Sequence, residues 1–296
     1  MKQKTKFKET KIDKILEDWK VKPIGEAIDI NPKRELKKGT KSKYVAMQDI
    51  KEFNKKILSF IFRDFKGGSK FKNGDTLMAR ITPCLENGKT AFVDFLEDKE
   101  VGAGSTEFIV LSGKEKETLN EFVYYLSISP AMRADAIQSM TGTSGRQRVQ
   151  TDLLASKEVI IPPLPEQEKI AKILSDLDAK IELNNKISQT FESLGKALFS
   201  KWLIDLEDIP KDWKTKPLDK IADFLNGLAL QKYPAKEGEE YLPAIKIREL
   251  RSGITDQTDK ISLTLPKEYL IEDGDILFSW SGSLEISIWC KGIGAL

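Results

Sequence analysis

"PPLPEQEKIAKILSDLDAKIELNNKISQTFESLGKALFSKW", residues 162–202, reads as one long helix. Pro165 suits the first helical position, and Glu166 and Glu168 favour the positive end of the helix dipole. No proline follows, and Gly195 is the single glycine. Apolar residues recur at helical spacing: Ile170, Ile173, Leu174, Leu177, Ile181, Ile187, Phe191, Leu194, Leu198 and Trp202. At 1.5 Å per residue the rod is roughly 55–60 Å long, which overhangs a small domain. An apolar stripe on such a rod calls for a partner helix. Its pairing positions are Ile170, Leu174, Leu177, Ile181, Asn184, Phe191, Leu198 and Trp202, with Asn184 midway as a polar position able to set register. The competing reading is a helix lying across one globular core.

Outward from the helix, the sequence partly repeats itself. "EDWKVKPIGEAIDINP" (residues 17–32) returns as "KDWKTKPLDKIADFLNG" (211–227). "YVAMQDIKE" (44–52) returns loosely as "YLPAIKIRE" (241–249). "FKNGDTLMARITPCLENGKTAFV" (71–93) returns as "IEDGDILFSWSGSLEISIWCKGI" (271–293). The order is kept at an offset near 195–200 residues, too long for a solenoid repeat. The arrangement expected is an N-terminal extension (1–16), a first domain (17–164), a connector helix (165–204) and a partial second copy of the domain (208–296).

The first copy reads as α+β. Residues 19–30 suggest a strand and a short helix, and "KYVAMQDI", "TLMARI", "EFIVLS" and "KEVIIPPL" suggest strands. "KNGD" and "EDGD" are turns in which glycine takes a positive φ, leaving Asp75 and Asp275 with structural roles. "KETLNEFVYYLSIS" and "SPAMRADAIQSM" suggest helices, the second with Ser129 as N-cap. "VGAGSTEF" reads as a turn.

At 296 residues the chain can bury two cores. Net charge is only +2, yet the first seventy residues carry twice as many Lys and Arg as Asp and Glu. That excess suits a polyanion, or a solvated lysine-rich surface. Two cysteines, Cys84 and Cys290, show no metal spacing, and there is no histidine, the commonest general base and zinc ligand. Walker, HExxH, GxSxG and GxGxxG patterns are absent. These points favour a binding module over an enzyme: no catalytic residues, no metal site, no cofactor in this chain. No apolar run reaches membrane length and no signal-peptide core is present, so a cytoplasmic protein with no membrane association is expected.

The binding chemistry gathers in a few places. "TGTSGRQRV" offers Thr143, Ser144, Arg146, Gln147 and Arg148 on a glycine-spaced loop. Phosphates accept from hydroxyl, amide and guanidinium groups, and guanine edges from bidentate arginine. Lys33, Arg34 and Lys43 belong to a basic run before a strand. Gln48 is of a type that reads adenine, and Arg80 ends a strand after a tight turn. A flexible surface loop and a salt-bridged arginine are the competing readings.

"FKETKIDKILEDWKVKPIGEAIDI", "FKNGDTLMARITP", "GTSGRQRV" and the proline-led helix with its Phe-Ser-Lys-Trp end together resemble the specificity (S) subunit of type I restriction–modification systems. The resemblance covers nearly the whole chain. It implies two target-recognition domains, each reading half of a split site in double-stranded DNA. It also implies long helices pairing antiparallel to set the spacer and to dock modification (methyltransferase) subunits. Those subunits would use S-adenosylmethionine, and a restriction subunit would join through them. A full subunit would continue past "KGIGAL", so a truncated second domain is expected. Two copies pairing through the long helix are one consequence. The alternative from another class is a coiled-coil scaffold with an incidental basic surface; a modifying enzyme with an unfamiliar site is a third.

Overall fold

The computed structural model describes residues 6–296 other than 144, 207–209, 237 and 283. It divides into two units, Met1–Ile204 and Asp205–Leu296.

The first unit opens with a hairpin, β1 (Phe7–Glu9) and β2 (Lys14–Leu16). β3 (Lys20–Pro23), α1 (Ile24–Ala27) and β4 (Ile28–Ile30) follow, the strand and short helix expected there. Next come β5 (Lys41–Val45), β6 (Ile61–Asp64), β7 (Ser69–Phe71), β8 (Thr76–Ala79), β9 (Thr90–Phe92), β10 (Gly102–Gly104) and β11 (Phe108–Gly113). Two helices, α2 (Asn120–Ser127) and α3 (Pro130–Gln138), precede a small hairpin of β12 (Met140–Thr141) and β13 (Arg148–Val149). α4 (Thr151–Ser156) and β14 (Glu158–Ile161) lead into α5 (Leu164–Phe199).

Two four-stranded sheets stack beneath the helices. One has the order β4-β11-β8-β9, the other β6-β5-β10-β7. Strand alternation divides the core. Met78, Ile109 and Leu111 face α1–α4 and the start of α5, while Leu77 and Val110 face Val45, Ile50 and Phe71 of the other sheet. With both faces covered, every residue of β8 is buried.

The helix and turn signals work as their chemistry demands. Ser129 Oγ accepts the Met132 N–H at 3.3 Å at the start of α3. Gly74 takes a φ of 87°, and Asp75 Oδ2 accepts the Lys72 N–H at 2.9 Å across the turn. One expectation fails. Residues 102–104 form not a turn but β10, parallel to β5 and antiparallel to β7. The glycines there answer to packing: a Cβ on Gly102 would lie 2.4 Å from the Phe71 ring.

α5 runs 36 residues, about 54 Å, and a π-helical turn, Ser200–Ile204, extends it. Its first half is seated on the domain. Gln167, fully buried, accepts from the Leu119 N–H and donates to the carbonyls of Glu117 and Pro162. Trp19 Nε1 donates to Glu166 at 2.6 Å. Ile170 and Leu174, assigned to helix pairing, are partly buried and pack against the domain's own core. A single helix can present two stripes, and these two residues share the face of the buried Ala171. Leu177, Ile181, Phe191, Leu198 and Trp202 remain exposed, and every residue from 183 to 199, Asn184 included, is exposed.

The second unit contains β15 (Tyr241–Pro243), α6 (Ile247–Ser252), β16 (Lys260–Ser262), β17 (Leu270–Ile271), β18 (Ile276–Ser279), β19 (Glu285–Ile288) and β20 (Gly294–Ala295). Its hydrogen bonds correct the register of the repeat. Ala46 N–H is capped by Asp49 Oδ2 at 2.7 Å, and Lys246 N–H by Glu249 Oε2 at 3.2 Å. Ala103 lies parallel beside Tyr44, and Ala295 parallel beside Ala244. Tyr44 therefore corresponds to Ala244, not to Tyr241, and "VGAG" (101–104) to "IGAL" (293–296). Residues 210–227 repeat the sequence of β3, α1 and β4 without forming strands. In the first unit β3 pairs with β14 and β4 with β11. Neither partner has a counterpart among the described residues of the second unit.

Candidate nucleic-acid interface

An open cleft of about 740 Å³ lies between the loop after β4, the start of β7 and the end of β8. Lys33, Arg34, Lys70, Arg80 and Thr106 line it, with Glu35 as its carboxylate. The strand ends position these groups. Arg34 Nη2 reaches Asp75 Oδ1 at 3.0 Å, with Asp75 fully buried. Lys70 Nζ donates to the Arg34 carbonyl at 3.1 Å, which closes the loop over the strand. Arg80 Nε is buried and meets no acceptor within the protein. A guanidinium N–H withheld from both water and protein is costly, and an incoming acceptor would relieve it.

The β12–β13 hairpin is joined to the same strand end. Val149 N–H donates to the Arg80 carbonyl at 2.8 Å, and Thr82 N–H to the Gln147 carbonyl at 3.1 Å. Arg148 forks onto Glu107, Nη2 to Oε1 at 2.8 Å and Nε to Oε2 at 3.0 Å. These hydrogen bonds hold Glu107 below the usual carboxylate range, against partial burial, and raise Arg148 in turn. At the hairpin tip Arg146 N–H donates to the Thr143 carbonyl at 3.0 Å, and both side chains are exposed. Gly142 and Gly145 take φ of 129° and 78°, values that the tight tip requires.

The structure places Lys33, Arg34 and Arg80 on one cleft and ties the hairpin that carries Thr143, Arg146, Gln147 and Arg148 to the strand end of Arg80. Ser144 lies outside the described residues. Gln48 is exposed on a 3₁₀ turn and does not line the cleft. Lys43 is a correction: it is buried, 2.9 Å from Glu100 and 5.5 Å above the Phe60 ring. Burial opposes ionisation of Glu100, but bonds from the Glu97 N–H and Lys43 outweigh it and lower its pKa. Arg34 and Arg148 likewise hold carboxylates, so each shapes the surface as much as it charges it. Lys70, Thr106 and Glu107 escaped the sequence reading. No local motif marks them; β-pairing between distant segments, β7 with β10 and β8 with β11, puts them there.

Among the described residues no group of three or more His, Cys, Asp or Glu could hold a metal ion. Among the same described residues no helix is long and apolar enough to cross a membrane.

A cationic cleft, a strapped arginine hairpin and a long helix leaving the same domain form one linear block. The family model described as the type I restriction modification DNA specificity domain matches residues 16–193, which span that block. The chain belongs to this family. Among relatives, the type I restriction enzyme MjaIX specificity subunit of Methanocaldococcus jannaschii is 26% identical over 310 residues, covering 94% of this chain and 69% of that protein. The HindI specificity subunit of Haemophilus influenzae is 34% identical over 150 residues, covering 50% of this chain and 32% of that subunit. The chain thus spans only part of the length of these relatives. The crystal structure of an HsdS subunit from Thermoanaerobacter tengcongensis aligns with a TM-score of 0.46 at 19% identity, covering 94% of this chain and 75% of that one.

Proposed function

We propose that the chain reads DNA sequence for a type I restriction–modification complex in the cytoplasm and catalyses nothing itself. The relatives are named as specificity subunits. The observation that carries the reading is the continuity of the cleft of Lys33, Lys70 and Arg80 with the Arg146 hairpin. Cations at the rim suit duplex phosphates, and the hairpin tip offers a guanidinium and an amide of the kind that reads base edges. The exposed stripe of α5 from Ile173 onward suits a second helix, from modification subunits or from another copy of the chain. S-adenosylmethionine chemistry belongs to the modification subunits, and a restriction subunit joins through them.

The test is duplex binding as a function of salt, with the full chain and the variants Arg146→Ala and Lys33→Ala plus Lys70→Ala. The double variant should lower the slope of log affinity against log salt by about two, uniformly across sequences. Arg146→Ala should reduce preference among sequences more than it reduces the slope. Unchanged affinity in all variants would remove the cleft from the interface. Binding of protein partners with no DNA affinity would favour a scaffold, for which the exposed stripe is also suited.

A further inference from the structure

We propose that Lys55, Tyr125 and Asp178 form a latch that fixes the direction in which α5 leaves the recognition domain, and that they are specificity-determining positioning residues. The inference rests on the DNA-reading function proposed above.

Lys55 Nζ lies within three aromatic rings: 5.2 Å from the centroid of Phe92, 5.5 Å from Tyr124 and 4.8 Å from Tyr125. It donates to Tyr125 Oη at 3.0 Å, and Tyr125 Oη donates to Asp178 Oδ2 at 2.7 Å. The Lys55 carbonyl accepts the Phe92 N–H at 2.8 Å, so the ammonium is tied through its own backbone to strand β9. The chain of contacts runs from the central sheet, through a caged cation and a phenol, to a carboxylate on the rod. Beside it Lys56 bridges Asp94 at 3.1 Å and Glu182 at 3.8 Å.

The position of this latch gives it more than a stabilising role. α5 is already seated by Gln167, Ile170, Ala171 and Leu174. Asp178 and Glu182 are the last partly covered residues before the exposed run from 183 to 199. Those seventeen residues make a lever of about 25 Å. A 10° swing at Glu182 moves the tip by about 4 Å, more than the roughly 3.4 Å advance of one base step along a DNA strand. The specificity-subunit resemblance implies a rod that sets the spacer between half-sites, and such a rod needs its exit angle held. An aromatic cage suits that task, because its rings are already fixed in the core and lose little freedom in holding the cation.

The experiment uses the full chain with Cys84→Ser and Cys290→Ser, spin-labelled at Lys37→Cys and Lys196→Cys. Tyr125→Phe keeps the ring and removes the link; Asp178→Asn keeps the shape and removes the charge. Both should at least double the width of the label–label distance distribution while circular dichroism stays unchanged. Lys55→Arg should retain the narrow distribution. A distribution as narrow as the parent's in Tyr125→Phe would overturn the latch without any use of DNA. With co-expressed modification subunits, Tyr125→Phe should raise methylation of sites whose spacer is one base pair too long or short by about tenfold relative to the proper site. A broadened distribution with unchanged spacer preference would overturn the specificity role. A parent protein that shows no preference for any split site would instead sink the DNA-reading function.

Discussion

Arg148 and Glu107 meet in a two-pronged ion pair that straps the β12–β13 hairpin to the start of β11. Glu107→Gln should free the hairpin, seen as faster amide exchange at Arg146 and Val149. The sign of its pH dependence follows from the lowered pKa of Glu107. A depressed folded-state value gives stabilisation that is complete above the unfolded glutamate pKa and is lost as pH falls through the folded value. The difference in Tm between parent and Glu107→Gln should therefore hold at neutral pH and vanish in acid. A difference that grew in acid would contradict the strap.

Asp75 is buried against Arg34, whose side chain is itself mostly covered. Asp75→Ala would strand a guanidinium and open the turn at Lys72, costing roughly 3–5 kcal/mol. Urea unfolding measures this directly. A loss below about 1 kcal/mol would mean that water replaces the carboxylate without cost.

Gly102→Ala should destabilise by about 1–3 kcal/mol, because the added methyl meets the Phe71 ring at 2.4 Å. Phe71→Leu in the same chain should recover part of that loss. A rescue that fails would move the conflict from the ring to the strand backbone.

The β18–β19 hairpin buries Leu277 and Trp289 but exposes Ile276, Phe278, Ile286 and Ile288. In the first unit the matching face carries Met78 and Phe92 beneath Tyr124 of α2. Such a bare apolar face binds hydrophobic dyes. The full chain should enhance the fluorescence of such a dye, and Phe278→Ser plus Ile286→Ser should remove most of the enhancement with little change in Tm.

Much of the α+β reading was legible because its signals are local. The Ser129 cap, the Gly74 turn and the 3.6-residue spacing of α5 act within a few residues of themselves. The hairpin arginines could be singled out for the same reason, since hydroxyls, glycines and guanidinium groups stood together in one run. Glu107, Lys70 and the glycines of β10 were opaque. Each owes its role to a residue brought near by strand pairing rather than by sequence.

By itself the sequence determined the rod and the family of this protein, since each is written in spacing and motifs along one segment. Only the tertiary structure decided which charges stay free. It turned Lys43 inward to Glu100, seated Ile170 and Leu174 against the core, and left residues 210–227 without strands. The physical reason is the same throughout. A side chain's partner, and a strand's neighbour, are set by the whole packing that surrounds them, and the same local sequence takes a different structure where that neighbour is missing.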